Sequence, residues 1–196
     1  MPRLPEFNRT EVLNQALQIF ISDGYEASSI NKLLDAMQIN RGSLYASFGD
    51  KETLFREVMA TYVANLGDLI TSTLVDTADP LEALSSFFYG AFLSGDTAEG
   101  AKGCLLFNTV TELRNTNPAL AKEAGDYMQQ VRELMVNRLQ QAQQLKLVRS
   151  GMDIDAQADS LLAMIAGLRV LCKMGYDKEQ IQNVIDPMLS ELKKTH

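Results

Sequence analysis

The sequence predicts an all-α protein of about nine helices, with an amino-terminal helix-turn-helix three-helix domain and a larger helical domain behind it. Three observations predict it. Apolar residues recur at intervals of three and four along most of the chain, and no stretch alternates as a strand would. Helix-start signatures recur as well: Asn8 with Glu11, Asp79-Pro80-Leu81-Glu82, Asn117-Pro118, and Asp177 with Gln180. Finally, the stretch from Ser28 to Phe48 reads as two short helices about a break at Gln38-Ile39-Asn40, the plan of a helix-turn-helix.

Residues 1–7 read as a frayed tail, in which Arg3 either touches a minor groove or stands in solvent. The first helix starts at Asn8, with Phe7 and Val12 at staple spacing, buries Leu13, Ala16, Leu17 and Phe20, and ends at Gly24. Ser28 or Ser29 caps the second, whose face is Ile30, Leu33, Leu34 and Met37. Asn40 caps a very short third helix, with Ile39 and Leu44 as its staple. Asp50 caps a fourth that runs about five turns, from Leu54 to Ile70, long enough to link two domains.

Asp79 opens the fifth helix, rich in aromatics up to Leu93. Ser94 to Gly103 holds three glycines and reads as a loop. A sixth helix follows from Leu105 to about Asn115. The seventh starts at Pro118 and carries a stripe through Leu139 and Ala142 to Leu145, ending near Arg149-Ser150-Gly151. The eighth starts near Asp153 or Asp155 and is apolar on every side from Leu161 to Cys172 except at Arg169. A helix apolar all round must be covered all round. The ninth follows Asp177, and Pro187 is expected to kink or break it near 184–186.

Composition narrows the function classes. No run of about 18 apolar residues reads as a membrane span. Met1 to Pro5 lacks the apolar core of a secretory signal, and Cys104 and Cys172 are too few for a disulfide scaffold, so a cytoplasmic protein is expected. The one histidine is His196, at the terminus, and no metal-spaced cluster, phosphate loop or nucleophile triad appears, which argues against an enzyme and against any cofactor. The net charge is −7. Residues 1–56 carry six Lys and Arg against seven Asp and Glu, and the remaining 140 carry twelve against eighteen. The acid therefore lies mainly outside the helix-turn-helix, where a small basic face still suffices for phosphate contacts.

For DNA reading the candidates are Ser29, at a helix start, then Asn40, Arg41, Gly42, Ser43 and Tyr45 of the third helix, and Lys51 in the first turn of the fourth. Asn and Arg present the amide and guanidinium forks that match base edges or phosphates, hydroxyls donate to phosphates, and glycine lets the backbone come close. Lys51 opposes its helix dipole, a placement that a nearby phosphate would explain. Asn40 as a cap alone, Tyr45 as core and Lys51 as a solvated lysine are the plain alternatives.

The order of Gly24-Tyr25, Ser29, Asn40-Arg41-Gly42-Ser43-Leu44-Tyr45, Phe48 and Lys51-Glu52-Thr53-Leu54-Phe55 resembles the amino-terminal domain of TetR-type transcriptional regulators. The resemblance covers about the first third of the chain. It implies a DNA-binding domain, residues 1–52, and a ligand-binding and dimerisation domain, residues 53–196. The expected function is then a repressor released from a palindromic DNA operator by a small-molecule effector. In this mechanism the effector favours an arrangement whose recognition helices no longer match major grooves about 34 Å apart. The fourth helix would transmit the change. The alternative is a protein-interaction module whose helix-turn-helix is structural only.

The effector pocket that the resemblance implies draws its candidates from the second domain: Phe88, Phe92, Phe107, Met128, Met135, Met164 and Leu168 as wall, Asn108 and Arg169 as polar groups, and Cys104. Aromatic and methionine stripes are equally the makings of a core. Arg169 binds an anionic ligand, pairs with Glu112 or another buried carboxylate, or snorkels to an edge. Cys104, at a helix start near Lys102, is an oxidant or electrophile sensor or an inert packed residue. The apolar eighth helix and the stripe Ile181, Val184, Ile185, Met188, Leu189 and Leu192 of the ninth are expected to form a homodimer interface, with Leu168 and Val184 at the contact.

Overall fold

The computed structural model describes residues 7–94 and 103–193. Over these the chain forms nine α-helices: α1 Arg9–Ala27, α2 Ile30–Met37, α3 Arg41–Phe48, α4 Lys51–Ile70, α5 Pro80–Leu93, α6 Leu105–Leu113, α7 Pro118–Gln144, α8 Ile154–Lys173 and α9 Lys178–Ser190. Among the described residues no strand forms; Val148 and Lys193 make one isolated bridge. The expectations on Arg3, Lys102 and His196 lie outside the described residues, as does most of the glycine-rich loop. The chain packs as two units, one of residues up to Asn65 with Cys104–Gly125, the other of Leu66–Gly103 with the chain from Asp126 on. The expected boundary at 52–53 falls in the first turn of α4.

In the first unit α1 packs on α2 and α6. Val12, Leu13, Ala16, Leu17 and Phe20 of α1 are buried with Leu33 and Met37 of α2, Leu44 and Phe48 of α3, and Leu54, Phe55, Val58 and Met59 of α4. Each such fully buried large side chain contributes about 1.5–3 kcal/mol. The Phe20 ring meets Phe55 edge-on at 4.7 Å. Phe7 stacks on Phe48 at 6.3 Å. Arg9 pairs with Glu57 at 2.7 Å and lays its guanidinium over the Phe48 ring. The side chains of Asn8, Ser29, Asn40 and Asp50 each accept from a backbone N–H two or three residues on, as the sequence predicts.

In the second unit α4 runs into a π-helical turn, Thr71–Val75, and α5 packs on that turn and on α9. A π-turn leaves its last carbonyls without an α-helical partner. Arg138 of α7, itself buried, supplies one: it donates to the carbonyl oxygens of Leu74 (2.7 Å) and Val75, and to Oε1 of Gln141 (2.8 Å). Asp79 caps α5, Asp153 caps α8, and Asp177 with Gln180 closes a capping box on α9.

Three helix ends depart from expectation. α1, expected to end at Gly24, kinks there and runs on to Ala27. α7 stops at Gln144 because Lys146 turns left-handed, φ 57°, so that Leu147 and Lys146 N–H groups bond back to Ala142 and Gln143. Leu145, expected in the buried stripe, is 61% exposed. α9 continues through Pro187 to Ser190. Proline removes only the bond to the Asn183 carbonyl, and both residues face solvent, where water replaces it.

α4 with its π-turn is also long and apolar enough, by length and composition alone, to cross a membrane. Its first half is core of the first unit, through Leu54, Phe55, Val58 and Met59.

Replacing Arg138 with Leu leaves the Leu74 and Val75 carbonyls without their donor. A loss of about 2–3 kcal/mol is expected, read as a lower urea midpoint at unchanged slope; a midpoint equal to that of the unchanged protein contradicts the assignment.

Candidate nucleic-acid interface

α2 and α3 are joined by a turn whose hinge is Gln38, in the left-handed region at φ 53°. Ile39 and Gln38 N–H groups bond to the carbonyls of Leu34 and Asp35, closing α2. Asn40 opens α3 by accepting from the Ser43 N–H at 2.8 Å. The buried residues Leu44 and Phe48 then fix which side of α3 faces inward. Asn40, Arg41, Gly42 and Tyr45 stand exposed on the opposite side, Tyr45 with 44% of its surface open. Such a helix, pinned by two apolar anchors and free along its outer face, is shaped to enter a major groove.

The geometry revises several candidates. Ser43 is buried, 3% exposed, so its hydroxyl is not on the outer face. Ser29 is exposed and caps α2 through the Lys32 N–H. Arg41 donates to Oδ1 of Asn31 at 2.9 Å, which links the starts of α2 and α3 and brings in a residue that the sequence reading missed. Lys32, also missed, pairs with Asp23 at 2.9 Å, and that contact holds the Asp23 carboxyl below its ordinary range. Lys51 lies over the Tyr25 ring, 4.5 Å from its centre. Burial draws its ammonium below the usual lysine range, against the charges of Glu26 and Glu112, which push it back up.

The joint between α1 and α2 is built on Gly24, at φ 82° and ψ −179°, where α1 kinks. Beyond it, the N–H groups of Tyr25 and Glu26 donate to the two carboxylate oxygens of Glu112 at 2.9 and 2.8 Å. Ser28, fully buried, donates its hydroxyl to the Gly24 carbonyl. Glu112 is therefore committed here rather than to Arg169.

The ten expected pocket residues divide between the two units. Cys104, Phe107 and Asn108 belong to the first, and Phe88, Phe92, Met128, Met135, Met164, Leu168 and Arg169 to the second. Phe88, Met135 and Leu168 are 0 to 1% exposed, and Cys104, Met128 and Met164 also count as core. Phe92, Phe107, Asn108 and Arg169 remain partly open. The Arg169 guanidinium lies over the Phe92 ring at 4.5 Å, and its Nε is buried with no hydrogen-bond partner among the described residues. Burial pushes the Cys172 thiol up, partly offset by Arg169. Leu168 faces inward within one chain, so the expected intermolecular contact at that residue is not there. The open side of α8 is Ala163, Gly167 and Val170, continued by Met174 just past its end, the last two 56% and 67% exposed.

Comparison with known proteins agrees with this geometry. Residues 12–58 match the family profile "Bacterial regulatory proteins, tetR family", and residues 80–188, more than half of the chain, match "Tetracyclin repressor-like, C-terminal domain". The HTH-type transcriptional regulator YezE of Bacillus subtilis is 28% identical over 193 residues, 98% of this chain and 100% of that protein. The HTH-type transcriptional repressor DhaR of Mycobacterium sp. strain GP1 is 24% identical, over 94% of this chain and 91% of its own. A cysteine mutant of the TetR family regulator CifR, solved with a 26-bp double-strand operator DNA, superposes with a TM-score of 0.85 at 26% identity, covering 98% of this chain and 99% of that one.

Proposed function

Since the chain belongs to the TetR family and is a DNA-binding transcriptional regulator rather than an enzyme, we propose that it is a homodimeric repressor that releases a palindromic operator when a small molecule binds. The observation that carries this is α3: an eight-residue helix capped by Asn40, anchored by Leu44 and Phe48, with Arg41, Gly42 and Tyr45 open on its outer face. Residues 1–52 read DNA, and residues 53–196 bind the effector and a second copy. Asn40, Arg41 and Tyr45 touch bases or phosphates, Ser29 and Lys51 touch phosphates, and the protein works in the cytoplasm beside its DNA. The relatives DhaR and CifR support the repressor and operator parts of this reading.

Dimerisation uses the open stripe of α8, Ala163, Gly167 and Val170, continued by Met174 just past its end, with Val184 and Met188 of α9. Apolar surface of this kind is costly in water, about 25 cal/mol per Å². The two-fold axis brings two copies of α3 to adjacent turns of one duplex face. Two copies also compensate for a chain of net charge −7, which makes few phosphate contacts per copy. The effector enters the helical domain and presents an acceptor, a carboxylate foremost, to Arg169, whose buried Nε lacks one among the described residues. Its apolar body lies against Phe92 and its neighbours.

With a duplex selected from random sequence by the unchanged protein, Arg41→Ala and Tyr45→Ala are expected to weaken binding at least tenfold with little change in melting temperature. Val170→Glu is expected to sediment as a monomer and to lose the duplex without touching it. Undiminished binding by the α3 variants, or a monomeric unchanged protein at micromolar concentration, contradicts the reading.

For the effector class, octanoate is expected to raise the melting temperature by several degrees through linkage, octanol much less, and Arg169→Met to abolish the difference. Equal shifts from acid and alcohol contradict the role of Arg169.

A further inference from the structure

We propose that Glu112 is a positioning residue for operator reading: from α6, its carboxylate clasps the joint between α1 and α2 and sets where α3 and Lys51 stand against DNA. The proposal rests on the reading that α3 and Lys51 contact DNA. Glu112 itself does not touch it.

The clasp begins with a glycine. At φ 82° the backbone of Gly24 occupies a region that side chains rarely adopt, and a Cβ there would lie 2.5 Å from Oε2 of Glu112. The conformation turns two successive N–H groups toward one point, the kind of concavity that holds an anion. One carboxylate oxygen takes the Tyr25 N–H at 2.9 Å and the other the Glu26 N–H at 2.8 Å. Both are charge-assisted bonds, stronger than the neutral kind. Glycine, the paired donors and the acid thus form one fitted arrangement between segments 86 and 87 positions apart.

What the clasp holds is the machinery of reading. On one side, the Tyr25 ring is wedged edge-on against Phe55 at 4.9 Å and carries the Lys51 ammonium on its face. Glu112 is also among the charges that favour the protonated form of Lys51. On the other side, the chain runs from Glu26 through the buried Ser28, bonded back to Gly24, to Ser29, which caps α2. α2 in turn carries α3 through the Gln38 turn and the Asn31–Arg41 bond. The large core side chains Phe20, Leu33, Leu44 and Phe55 are apolar and each 0 to 1% exposed, whereas Glu112 bonds only to the backbone of the joint among the described residues. The carboxylate adds direction to the joint, and it makes the stance of α2, α3 and Lys51 depend on where α6 lies.

The test is operator affinity by fluorescence anisotropy across a salt series, using the duplex selected by the unchanged full chain. Glu112→Ala is expected to weaken binding about tenfold and to flatten the slope of log affinity against log salt by about one phosphate contact, ~0.9. Glu112→Gln, which keeps one acceptor oxygen, falls between, and supplies the same readout should the alanine variant fail to melt cooperatively. Lys51→Ala is expected to flatten the slope equally, and adding Glu112→Ala to it to flatten it no further. Unchanged affinity in the Glu112 variants overturns the proposal, as does weakening at an unchanged slope, the mark of a general loss of stability. If Lys51→Ala leaves affinity and slope unchanged, the reading of Lys51 fails first and the route through it falls with it.

Discussion

α3 cannot hold itself. Eight residues are well short of the length at which a helix is stable alone in water, and only Leu44 and Phe48 give it large apolar side chains to bury. Everything else in the first unit answers that constraint. Gln38 accepts a left-handed backbone so that α2 can end and α3 begin within three residues. Asn40 gives up its amide oxygen to cap the new helix. Phe48 is covered by Phe7 and by the Arg9 guanidinium, which Glu57 holds in place. The consequence is that the inner face and the two ends hold the helix, which leaves Gly42 and Tyr45 exposed on its outer face.

What was legible in the sequence follows from range. Every cap acts over two or three residues, so Asn8, Asn40, Asp50, Asp79 and Asp177 could be read directly from local pattern, while the caps of α2 and α8 were narrowed to Ser28 or Ser29 and to Asp153 or Asp155. The stripes of α1 and α2 were legible for the same reason. Gln38 and Lys146 were not, because their left-handed backbones follow from the packing of the segments they join rather than from any glycine preference. The burial of Ser43 escaped because it depends on how Leu44 and Phe48 seat α3, which no residue of α3 alone reveals. Glu112 and Arg138 were also missed as anchors: their partners are backbone groups 63 to 87 positions away, with no spacing to announce them.

The charged residues show a division of labour. Arg9 and Arg56 are committed to carboxylates, Arg9 to Glu57 and Arg56 to Glu52 and Glu123. Arg132 bridges Asp155 and Asp159, and Arg138 serves backbone carbonyls. Among the described residues Arg41 is held by the neutral amide of Asn31, and Lys51 by a ring, arrangements that leave both cations able to face an anion. In an acidic chain, specificity must then come from a few well-placed contacts rather than from a broad basic surface.

The central claim is that two copies of α3, related by a dimer axis, read one face of a duplex. Hydroxyl-radical footprinting of the selected operator tests it most directly. The account predicts two protected segments on the same face of the duplex, their centres about one helical turn, or a whole multiple of it, apart, and both lost together with Val170→Glu. A single protected segment, or two that survive in the monomeric variant, would contradict it.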